Sequence, residues 1–89
     1  MREKPVSEQK AKDQDGNYVL VLFNDDHNTF EHVIESLVEV CGHDPVQAEQ
    51  CAVITHFKGS CEVKTGNLNI LNGMCKSLNS RDLSSEIKS

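Results

Sequence analysis

Hydrophobic positions along the chain fall into six stretches whose spacing switches between the period of a strand and that of a helix. Tyr18-Val-Leu-Val-Leu-Phe23 is an unbroken apolar run, rich in β-branched and aromatic residues, between Gly16-Asn17 and Asn24-Asp25-Asp26. Turn residues at both ends mark it as a strand, and its lack of alternation predicts a central one. Phe30, Val33, Ile34, Leu37, Val40 and Cys41 then recur at threes and fours, an amphipathic helix for which Asn28 with Glu31 supplies the N-cap and Gly42 the C′ residue. A second helix starts at Asp44-Pro45, with Asp as N-cap, Pro at the first helical position and Gln47 at the third, and runs to Gly59. Ala48, Cys51, Ala52 and Thr55 form its stripe, and with little more than His43 between the two boundaries the helices must make a tight hairpin. Cys61-Glu-Val-Lys64 alternates as a short strand, Leu68, Leu71, Cys75 and Leu78 mark a third helix, and Leu83, Ser85 and Ile87 alternate again. The order βααβαβ predicts an α+β two-layer sandwich, with three helices on one face of a small three-stranded antiparallel sheet.

Composition bounds what such a domain can do. Residues Met1 to Gly16 hold ten charged or amide residues and only Met1, Val6 and Ala11 as hydrophobes, so 1–16 is expected to be a flexible extension and 17–89 the folded domain. In all, 9 Lys+Arg against 14 Asp+Glu give a net charge of −5, which offers no basic surface for nucleic acid. Apolar residues never run unbroken for the roughly 18 positions of a membrane span, and the start lacks the apolar core of a secretory signal, so a cytoplasmic monomer is expected. Cys41, Cys51, Cys61 and Cys75 show no C-x-x-C and no paired His spacing. Each lies in an apolar pattern, where a reduced thiol packs as a small hydrophobe; neither metal nor cofactor is expected.

Chemistry concentrates where the first strand ends. Asn24-Asp25-Asp26 crowds an amide and two carboxylates into one turn ahead of a helix N-terminus. Four readings compete. Asn and Asp suit turns, and acidic residues suit the positive end of a helix. A carboxylate pair can divide acid and base roles, but no nucleophile or oxyanion donor accompanies this one. A cation site has oxygens here but lacks the spacing, Gly and distal Glu of a calcium loop. Finally, an organic ammonium needs acceptors on one side and favours carboxylates, which Asn24 and Asp26 offer. His56, on the second helix, is either a structural residue or a further acceptor, and spacing alone does not place it beside the turn.

Tyr18 to Asp26, Thr29-Phe-Glu-His-Val-Ile34, Gly42-His-Asp-Pro-x-x-Ala48 and His56-Phe-Lys-Gly59 together resemble the ClpS family, adaptors of the Clp ATP-dependent protease. The resemblance runs without a gap from about Tyr18 to Gly59 and more loosely to Ile87. It implies a non-enzymatic adaptor that binds N-degrons, chains whose first residue is bulky and hydrophobic, and hands them to a Clp ATPase. Asn24, Asp25, Asp26 and His56 are then expected to hold the free α-amino group, with Asp26 the direct contact, because neighbouring side chains on an extended segment point opposite ways. The first side chain is expected to enter a pocket of Phe30, Val33, Ala52, Thr55 and Leu83, although helical stripes such as these are also what a core presents. Many members carry Met at the positions of Phe30 and Ala52, so Phe30 is expected to narrow the entrance and Ala52 to deepen the floor.

The same resemblance implies docking onto the N-terminal domain of a ClpA-like AAA+ ATPase through the second strand and third helix. Asn72 stands near the place of the family's basic residue, with Lys64 or Lys76 as substitutes, and the charged extension is expected to act on the ATPase. The rival reading is a docking domain like the C-terminal domain of the ribosomal stalk protein, which has a similar βααβαβ layout. Such a domain has no need of an ammonium site, so Asn24-Asp25-Asp26 with His56 favours the adaptor.

Overall fold

A computed structural model describes residues 18–89; the extension expected over 1–16, and the domain boundary at 17, lie outside the described residues. The elements are β1 (Tyr18–Phe23), α1 (Phe30–Cys41), α2 (Pro45–Lys58), β2 (Ser60–Gly66), α3 (Leu68–Ser80) and β3 (Ser84–Lys88). The strands form one antiparallel sheet in the order β2-β1-β3, which puts the unbroken apolar run in the middle. Leu20 and Leu22 of β1 share a single core with Cys61 and Val63 of β2, Leu37 and Cys41 of α1, Ala48 and Cys51 of α2, and Leu71 and Leu78 of α3. Since Leu20 and Leu22 lie on the same side of β1 and meet all three helices, the helices form one layer and the sheet the other. Each fully buried leucine contributes about 1.5–3 kcal/mol, which is how so short a chain holds together.

The helix ends follow local chemistry. Asp44 caps α2 by accepting the Gln47 N–H at 2.9 Å, with Pro45 opening the helix, and Asn67 caps α3 by accepting the Ile70 N–H at 3.0 Å. Gly42 and Gly59 end α1 and α2 at φ 72° and 94°, left-handed values that any Cβ would strain. The N-cap of α1 is Thr29, whose Oγ1 accepts the His32 N–H at 3.0 Å, and not Asn28 as the sequence suggested. Asn28 is committed elsewhere, to Asp25 and Asp82, so the helix begins one residue later.

Three other boundaries shift. β2 is longer at both ends than Cys61 to Lys64, because it pairs with β1 from Phe23↔Ser60 to Tyr18↔Gly66, with an irregularity between Leu20 and Val21 that leaves Val63 out of the register. The carbonyl of Val63 instead accepts His43 Nε2–H at 2.6 Å, which pins the helical hairpin to the sheet. α3 runs on to Ser80, and β3 starts after Leu83, whose N–H closes the preceding turn on the Leu78 carbonyl at 3.1 Å.

Cys41, Cys51 and Cys61 are buried free thiols and Cys75 a half-buried one. Burial pushes the Cys41 thiol up to about 11. It pushes Cys61 up to about 12, with the neighbouring Cys51 thiol adding to the effect.

Candidate functional site

The ladder between β1 and β2 decides where the site forms. It continues one step beyond the strands, the Asn24 N–H donating to the Gly59 carbonyl at 2.9 Å. Gly59 closes α2, so this bond sets the end of β1 against the last turn of α2, which carries His56. Residues about thirty positions apart thereby meet at one rim. The negative end of the α2 dipole and the two carboxylates give that rim a preference for positive charge.

Below it lies a cavity of about 310 Å³. Asn24, Asp25, Asp26 and His56 line it, as do Phe30, Val33, Ala52, Thr55 and Leu83, so the residues singled out for the amine site and for the pocket share one space. Ala52, Thr55 and Leu83 form a buried floor and wall, 3%, 5% and 4% exposed. The Thr55 hydroxyl donates to the Cys51 carbonyl at 2.7 Å and so presents no unpaired polar atom to the interior. Ala52 is buried and lines this cavity but stands outside the core cluster that Leu83 joins. Phe30, 44% exposed at the start of α1, forms a side of the mouth. The volume is at the small end of the roughly 300–1,000 Å³ of ligand sites, suited to a single side chain.

The rim divides into occupied and unoccupied acceptors. Asp25 is engaged: its Oδ1 accepts the Asn28 N–H at 3.1 Å, the His27 N–H at 3.3 Å and the Asn28 side-chain amide at 2.8 Å. The side chains of Asn24, Asp26 and His56 make no hydrogen bond to any described residue, and all three are exposed. His56 is held instead by packing between the rings of Phe30 and Phe57. An amide oxygen, a carboxylate and an imidazole facing one opening above an apolar floor can receive a group with several N–H donors and an attached apolar side chain.

Sequence reasoning passed over Asn28 as a rim residue, although an Asn three places after an Asp in a turn is a pattern in which the two side chains bond. It also gave no sign of Asp82, whose part depends on a contact 54 positions away. Lys64, half-buried on β2, and Lys76, exposed on α3, do not line the cavity.

Fold and site together define a small α+β domain with an apolar cavity beneath a rim of polar side chains. A family model for the ATP-dependent Clp protease adaptor protein ClpS matches residues 13–86, and the chain belongs to this family of adaptors. Among solved structures it is similar to Agrobacterium tumefaciens ClpS2 bound to L-phenylalaninamide, with a TM-score of 0.75 and 21% identity over 80% of this chain and 93% of that one. That likeness concerns the fold. No curated protein matches the sequence. The family match decides between the adaptor and the ribosomal stalk domain. Among the described residues no helix is long and apolar enough to cross a membrane.

Proposed function

We propose that the cavity receives the first residue of a polypeptide with a free N-terminus, and that this adaptor delivers such chains to a Clp AAA+ unfoldase and its protease. The observation that carries the reading is the set of acceptors without a hydrogen-bond partner among the described residues, Asn24, Asp26 and His56, gathered over the apolar pocket. An α-ammonium group supplies three N–H donors and one positive charge, which match an amide oxygen, a carboxylate and an imidazole nitrogen. Beneath it, the pocket rewards a large apolar side chain by about 1.5–3 kcal/mol. Acetylated ends and internal residues lack the charge and keep at most one N–H donor, so they leave acceptors unpaired. The ligand of the similar Agrobacterium protein, L-phenylalaninamide, has the same two parts, a free α-amino group and an apolar aromatic side chain.

Work on the substrate then belongs to the partner: the adaptor is not an enzyme and selects, while the ATPase unfolds. Docking is assigned to the N-terminal domain of a ClpA-like ATPase, through the surface of β2 and α3 with Lys64 or Lys76 supplying the positive charge, and the adaptor acts as a cytoplasmic monomer. Isothermal titration with a short peptide beginning Leu or Phe, against its acetylated twin, tests the recognition step. Binding of the free-amine peptide alone is expected, and equal heats from both would overturn the reading.

A further inference from the structure

We infer that Asn28 is a positioning residue of the amine site, an inference that rests on the function proposed above. Its side-chain amide donates to both oxygens of Asp25, at 2.8 Å and 2.9 Å, and to the backbone carbonyl of Asp82 at 2.8 Å. Both hydrogens of the amide are thereby used. Asp25 is fixed in turn by the main-chain N–H groups of His27 and Asn28 at 3.3 Å and 3.1 Å. At the far end, Asp82 sits at φ 71°, a left-handed conformation that disfavours a side chain, and its carboxylate accepts His27 Nε2–H at 2.8 Å.

The consequence lies one residue further along at each end of this link. Asp26 follows Asp25 and carries the rim carboxylate that has no partner among the described residues; Leu83 follows Asp82 and forms a buried wall of the pocket. The bonds Asp25 to Asn28 to Asp82 therefore tie the polar rim to the apolar wall across 54 positions of sequence. Together with the bonds from Asn24 to Gly59 and from His27 to Asp82, they hold an exposed turn in place. A rim already ordered loses less conformational freedom when a ligand arrives and presents the amine acceptor at a set distance from the pocket. Asp25 acts in this scheme as the anchor of the turn, and Asp26 as the contact.

The test is fluorescence anisotropy on the full chain, with a labelled peptide beginning Phe and its acetylated twin as probes. Asn28→Ala is expected to raise the Kd of the free-amine peptide about tenfold, the scale of one lost charge-assisted hydrogen bond. In an Asp25→Ala background the same substitution should change Kd by less than about twofold, because an interaction already broken cannot be broken again. A purely structural contribution would multiply with that of Asp25. Asn28→Ser keeps one donor and should fall between wild type and alanine; it carries the test should the alanine variant fail to fold. Unchanged affinity of both Asn28 variants, or effects that multiply with Asp25→Ala, overturns the inference while leaving the proposed function standing. A wild-type protein that fails to distinguish free from acetylated peptide overturns both.

Discussion

The ring of Phe30 meets the ring of His56 edge to face, with centroids 5.3 Å apart and planes inclined by 64°. Phe57 meets the same imidazole at 4.9 Å and 84°. Contacts of this kind contribute about 0.5–1.5 kcal/mol each, enough to favour one orientation of a side chain that has no hydrogen bond to a described residue. Phe30 thus has two tasks. It forms part of the cavity's apolar wall, and it braces the imidazole of His56 at the rim.

Phe30→Ala is accordingly expected to do more than enlarge the mouth. Loss of the wall and of the brace should raise the Kd of a Phe-initial peptide roughly tenfold. A wider entrance should also move the ranking among Leu, Phe, Tyr and Trp toward Trp. Titrating peptides that differ only in their first residue measures both effects, and an unaltered ranking at equal affinity would sink the idea.

Asp26→Ala removes the one rim carboxylate without a partner among the described residues. A charge-assisted hydrogen bond is worth about 1.5–3 kcal/mol, toward the lower figure at so exposed a position, so the free-amine peptide should bind about tenfold more weakly. Its acetylated counterpart has no ammonium to lose and should be nearly indifferent. Equal weakening of both peptides in a calorimetric titration would remove the ammonium role from Asp26.

Most of the fold was legible because local signals agreed with it. The uninterrupted run Tyr18 to Phe23 is the middle strand, and Asp44-Pro45 and the two left-handed glycines sit at the helix boundaries they mark. Asn28 misled because a single side chain can satisfy either a helix end or a neighbouring carboxylate, and the choice turned on Asp82, far away in sequence. The residues that line the cavity could be singled out one by one, yet their convergence depended on strand register. Only the pairing that carries Asn24 to Gly59 brings His56 to the rim, and periodicity contains no register.

The buried thiols predict a loss of stability in alkaline solution. Cys61 titrates near 12 in the folded protein but near 9.0 when unfolded, so above about pH 9 the unfolded chain holds fewer protons than the native one. Stability from this group is therefore complete below pH 9 and declines as pH rises toward 12. Thermal melts of wild type and Cys61→Ala from pH 7 to 10.5 should show the mutant less stable at neutral pH, through its cavity, but with a shallower alkaline decline. Parallel curves would show that Cys61 contributes nothing to the slope.

Ala52 separates pocket from core most directly. Were its methyl group wedged into a packed interior, a larger residue would overpack it and cost about 1–3 kcal/mol. The cavity of about 310 Å³ that it lines offers room instead. Ala52→Met should therefore leave the melting temperature within a few degrees of wild type, while its side chain occupies the space proposed for the first residue of a substrate. Affinity should fall most for Trp and Phe, less for Leu, since a shortened pocket excludes the longest side chains first. Differential scanning fluorimetry together with the same peptide series reads both quantities on one protein. A large drop in melting temperature would return Ala52 to the core, and undiminished binding of a Trp-initial peptide would place the floor of the pocket elsewhere.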